Sequence, residues 1–241
     1  MHEPDPASRV SAAHVPPTSA FGEAAGPHAL QILMTEHWSL LSSRSLGYTE
    51  AMSRASIFVA ALTGSVVALA LVGQATDFGD GFVAFALVLL PVVFFLGLVT
   101  IARLGQINVE DAAWVRGMNR IRHAYLDLAP ELEPYFVTSK HDDDEGVLVS
   151  SLATRRVVPQ IQGFIAIPGV IAVLDAVVAG ATAAIAGLGL GAGTALAVVV
   201  GVLVFAVVLA GFAAFAVLAV TRFRGTFDIR FPTPPNGPPS V

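Results

Sequence analysis

The sequence predicts an all-α integral membrane protein with four transmembrane helices arranged as two hairpins, joined to cytoplasmic amphipathic helices. Three observations carry that expectation. The chain is 55% hydrophobic and only 13% charged, with a mean hydropathy of +0.73. Its apolar residues gather into four nearly uncharged blocks, 55–73, 82–102, 163–188 and 194–220. Each is long enough to cross a hydrocarbon core of about 30 Å at a rise of about 1.5 Å per residue. A buried helix of a soluble bundle would carry a polar face at helical period, and these blocks have none. Finally, all 13 Lys and Arg lie outside the blocks.

Taken in order, residues 1–27 are rich in Pro, Ala and Ser and lack a continuous apolar stretch, which predicts a disordered tail rather than a cleaved signal peptide. Residues 28–54 place Leu30, Leu33, Met34, His37 and Leu41 at helical spacing, an amphipathic helix leading into the first span. The first hairpin, 55–104, holds spans 55–73 and 82–102 around the turn QATDFGDG. Residues 105–160 form a cytoplasmic helical loop, in which Asn108 reads as an N-cap with Glu110 and Asp111 in the first turn. Trp114, Met118, Ile121, Tyr125 and Leu128 are the apolar stripe of that helix, which ends before Pro130. The second hairpin, 161–221, holds spans 163–188 and 194–220 around GLGLGAG, and 222–241 is a Pro-rich tail anchored at the interface by its Arg and Phe residues.

Basic residues set the expected orientation. Arg9, Arg44 and Arg54 precede the first span, Arg103 to Arg156 lie between the second and third, and Arg222, Arg224 and Arg230 follow the fourth. Neither short turn has any. The excess of positive charge on the cytoplasmic side then predicts a multi-pass protein of the plasma (inner) membrane with both termini in the cytoplasm.

Composition excludes several kinds of chemistry. The chain has no cysteine, so disulfides, thiolate metal sites and Cys nucleophiles are ruled out. The six histidines form no set with an acid and a nucleophile, so no catalytic residue, cofactor or nucleic-acid partner is expected. HDDDEG, 141–146, lacks the alternating ligand spacing of a calcium loop and reads as a solvated loop rather than a metal site. Arg116, Arg120 and Arg122 offer contacts for an anionic ligand or for acidic headgroups, without a Gly-rich phosphate loop beside them. GLGLGAG beside a membrane carboxylate is similar to the Gly-repeat helix of rotary ATPase rotor-ring subunits. Here, however, the glycines follow the acid on the same hairpin, and no function is carried across.

Asp175 is the residue with functional promise. It stands inside the third apolar block, and no Lys, Arg or His occurs between Arg156 and Arg222. A charge at the centre of a membrane is disfavoured by about 2.5–3.5 kcal/mol on insertion scales, so the group must be protonated, paired or hydrated. Counting inward from the cytoplasmic ends puts Thr63 and Ser65 at the same depth. It also puts the Leu87 carbonyl there, freed by Pro91. Asp175, Thr63 and Ser65 are thus the expected ion-binding residues of an oligomeric proton or cation channel or ion-coupled carrier. The alternative is a non-catalytic scaffold or signalling component that recruits a cytoplasmic protein partner. The bilayer is the expected environment, and homo-oligomers would form through the small-residue faces Ser56, Ala60, Gly64 and Ala68 of the first span and Ala172, Ala176, Gly180, Ala183 and Gly187 of the third.

Overall fold

The computed structural model describes residues 26–151, 167–224 and 227–235. All regular structure among them is helical: α1 (Gly26–Ala75), α2 (Asp80–Leu128), a 3-10 helix (Pro130–Tyr135), α3 (Asp144–Ser151), α4 (Ile167–Gly189) and α5 (Thr194–Arg224). Four of these, α1, α2, α4 and α5, are long and apolar enough to cross a membrane. Residues 1–25 of the expected N-terminal tail, and 225–226 and 236–241 of the C-terminal one, lie outside the described residues.

One expectation is corrected at once. The amphipathic helix of 28–54 and the first span are not separate elements, because α1 is a single helix of 50 residues. Likewise no helix starts at Asn108, which lies exposed inside the 49-residue α2. The cap-like signal at Asn108 was outweighed by continuity. Glu50 and Arg54 pair one turn apart on α1, Arg103 pairs with Glu110 on α2, and a helix already nucleated adds residues at little further expense. Pro91 too lies within α2 without ending it.

Each long helix therefore has an apolar half and a polar half. In the polar halves, α1 and α2 run antiparallel and are tied by ion pairs: Arg44 Nε donates to Asp111 at 2.7 Å and Arg103 Nε to Glu50 at 2.9 Å. The Arg103 guanidinium, followed by that of Arg54, holds the Glu50 carboxyl down at about 2. The α2 stripe packs as its spacing predicted, with Met118 and Ile121 buried. Trp114 lies flat over Gly47, where a Cβ would come within 2.7 Å of the indole. His37 of α1 stacks on Tyr125, ring centroids 6.0 Å apart, and burial followed by the Arg122 charge lowers its pKa. The apolar residues picked out on α1 are divided: Leu33 and His37 are half-buried, whereas Leu30, Met34 and Leu41 are exposed.

The apolar halves pack differently. Phe58 of α1, Leu90, Val93 and Ile101 of α2 and Ile171 and Val178 of α4 form one core cluster. α5 lies along α4, whose Gly180 would meet the Gly201 carbonyl at 2.7 Å if it carried a Cβ. The small-residue face of α4 is consumed within the chain, since Ala172, Ala176 and Gly180 are all buried. The turn between α4 and α5 falls within GLGLGAG, and Gly191 adopts φ +82°, a conformation glycine reaches without strain.

Candidate functional site

Asp175 projects from the buried face of α4, in line with Ile171, Ala172 and Val178. Directly across from it on α2 is Gly97. A Cβ at position 97 would lie 2.0 Å from Asp175 Oδ1 and 2.3 Å from its Cγ, so the carboxyl group rests in the space that the missing side chain leaves. Asp175 is 0% exposed. Neither carboxyl oxygen has a hydrogen-bond partner among the described residues. Two surface grooves, one walled by Leu46, Glu50 and Arg54 and the other by Phe94, Leu98, Phe212 and Phe215, do not reach it.

Helix register places the expected partners elsewhere. The Glu50–Arg103 and Arg44–Asp111 pairs align α1 with α2 so that Gly97 is level with the turn of α1 around Phe58. Thr63 and Ser65 then stand about two turns farther along, roughly 10 Å away at 1.5 Å per residue. Their hydroxyls are spent locally, Thr63 donating to the Val59 carbonyl and Ser65 to the Ala61 carbonyl, both at 2.8 Å. Such back-bonding to the preceding turn is the usual resort of a hydroxyl inside a helix. The Leu87 carbonyl is farther still, ten residues or about 15 Å along α2 from Gly97. The depth count erred because helices slide past one another to fit side-chain shapes, and the fit here is an aspartate into a glycine notch. Asp175 is also not midway along: Gly97 is six residues, about 9 Å, from Arg103 and much farther from Asp80 at the other end of α2.

The arginines form no open anion site. Arg116 is buried, pairs with Asp144 and lies 4.2 Å over the Phe227 ring. Arg120 Nε donates to Asp142 at 2.7 Å, and its other nitrogen reaches the Asp228 carbonyl. Arg122 donates to Asn119 Oδ1 at 2.6 Å. The HDDDEG segment is corrected in part: Asp144 and Glu145 are exposed at the start of α3, but Asp142 is buried and Asp143 half-buried, and both are hydrogen-bond acceptors. Asp142 takes the backbone N–H groups of Arg230 (3.0 Å) and Phe231 (2.8 Å) as well as Arg120. Asp143 takes the N–H groups of Gly146 (2.8 Å) and Thr233 (2.7 Å) and the Thr233 hydroxyl (3.0 Å). Burial raises both carboxyls, but these donors together, with Arg120 adding its charge at Asp142, hold both below their ordinary value. Residues 227–233, read from sequence as part of a Pro-rich tail anchored at the membrane interface by Arg and Phe, are instead docked on α2, with Phe231 stacked on His123 at 3.9 Å between centroids.

Sequence reasoning missed Gly97 and the docked segment. A lone glycine in the run FFLGLVT is a weak signal for close helix approach, and FDIRF carries no periodic pattern that marks it as a docked segment. No family model, no curated protein and no solved structure matches the chain.

Proposed function

We propose that the protein is a membrane-embedded proton carrier or channel of the plasma (inner) membrane, with both termini cytoplasmic, in which Asp175 takes up and releases the proton. The observation that carries this reading is a carboxyl group fully buried in the α2–α4 contact with neither oxygen hydrogen-bonded. A structural carboxyl would be expected to donate to a backbone or hydroxyl oxygen, because an unmade bond in an apolar interior is penalised by about 1–3 kcal/mol. An acid retained under that penalty, away from any partner, is best explained by a task that needs its proton.

The same geometry favours a proton over a metal ion. Cations such as Ca²⁺ take six or more oxygen ligands, and Thr63 and Ser65 are turned to their own helix well away from Asp175. Access requires the α2–α4 contact to part at Gly97, where the Asp175 carboxyl now fills the glycine notch. The nearer exit is the Arg103 end, about 9 Å off. In proteoliposomes carrying an internal pH dye, an imposed potential should drive proton uptake by the wild type that does not change when Na⁺ replaces K⁺. Asp175→Asn should abolish it. Flux that survives Asp175→Asn would discard this reading and return the chain to the scaffold alternative.

A further inference from the structure

The polar half of α1 has a face that nothing among the described residues covers. Met34, Trp38, Leu41, Ser45, Tyr48 and Met52 recur every three or four residues, so they line one side of the helix over about 27 Å. All six are exposed, Trp38 by 66%. A different side, through Leu40, Gly47 and Ala51, is the one that meets α2. An exposed surface of this kind on a water-facing helix marks a contact. Lipid does not reach it, because Arg54, Glu50, Arg103 and Glu110 form a charged collar at the end of the apolar half, and Trp38 stands about 24 Å beyond Arg54.

We infer that this face pairs with the same face of a second copy of the chain, forming a parallel two-helix contact about a twofold axis. Three features select that occupant. Two copies in one membrane hold α1 at the same height and in the same direction, so every level of the stripe meets its own counterpart, as a twofold contact requires. The stripe and its flank, Thr35, Ser42, Thr49 and Ser56, carry no charge, so like meets like without repulsion. The α1 charges next to it are already committed inside the chain, Arg44 to Asp111 and Glu50 to Arg103 and Arg54. The same spacing runs on into the apolar half through Ala55, Val59, Leu62 and Val66, and beside it Ser56, Ala60 and Gly64 are exposed small residues, with nothing among the described residues against Gly64, where a second helix can approach closely. The repeat of three and four is that of a two-stranded coiled coil, with Ser45 in the seam between Trp38 and Met52.

The contact does not depend on Asp175 being a proton site, and its test is separate. The chain has no cysteine, so single cysteines report without background. In membranes containing the full chain, Ser45→Cys should form a disulfide-linked dimer under mild oxidation, whereas Ser39→Cys and Ser53→Cys, exposed but off the stripe, should not. Equal linkage at all three positions, or none at Ser45, would overturn the proposal. As a second measure, the wild type in nanodiscs should have the mass of a dimer and the double variant Trp38→Glu, Leu41→Glu that of a monomer, with unchanged helical circular dichroism. A wild-type monomer, or a variant that remains dimeric, would be equally fatal to it. Disulfide linkage would confirm contact between copies, as distinct from capture of another protein at this face.

Discussion

Asp142 and Asp175 are both 0% exposed, and they could hardly be held more differently. Asp142 lies in the polar half of the molecule, where its carboxylate accepts two backbone N–H groups and the Arg120 guanidinium. Asp175 lies in the apolar half against the bare Gly97 backbone and accepts nothing from the described residues. Burial alone therefore says little about what an acid does. The donors that compensate it separate an acid that builds the fold from one that the fold tolerates for another purpose.

The sharpest way to break that contrast is to remove each carboxyl. Asp142→Ala strands Arg120 and two backbone N–H groups, and should destabilise the protein by about 3 kcal/mol, the scale for breaking a buried, hydrogen-bonded charge. It should also free residues 227–235 for early cleavage in limited proteolysis, while Asp175→Ala should alter the thermal midpoint far less. A comparable loss from Asp175→Ala would mean that the buried carboxyl is structural after all.

A smaller effect tests the notch. Gly97→Ala puts a methyl group within 2.3 Å of Asp175 Cγ, and overpacking of this kind costs about 2 kcal/mol. Combined with Asp175→Ala, most of that loss should be recovered, because the two side chains compete for one space. Thermal melts of the two single variants and the double variant in detergent give the coupling directly, and additivity would refute the contact.

The mildest perturbation is acid. Asp142 and Asp143 both have carboxyls lowered in the folded state, so the docking they support is fully present above the ordinary carboxylate value and is lost as pH falls below it toward the folded one. Cleavage within residues 227–235 should be flat from pH 8 to pH 5 and rise only below about pH 4. Release already between pH 8 and pH 5 would show that the Asp142 and Asp143 carboxylates are not what holds the segment.

How much of this was legible in the sequence differs between the two halves. Composition alone located four apolar helices, since hydrocarbon length and the helical rise fix how many uncharged residues a span needs. The α2 stripe from Trp114 to Leu128 was also readable, because helical period reports which residues share a face. Hydrogen bonds joining Asp142 and Asp143 to Arg230, Phe231 and Thr233 were not, because a local acidic run looks the same whether water or a distant segment of chain satisfies it.

Asp175 was conspicuous in the sequence for a related reason: a charge in an apolar run needs no neighbours to be noticed. Its neighbours were another matter. Thr63, Ser65 and Leu87 were chosen by counting depth, but depth leaves both the slide and the rotation of each helix open. The sequence by itself determined the number of apolar helices and the one acid within them, because both follow from transfer free energies of single residues. Only the tertiary structure decided that α1 and α2 run unbroken through their polar halves and that Gly97 receives Asp175. Register and rotation are settled by the fit of many side chains at once, and no single residue carries that information.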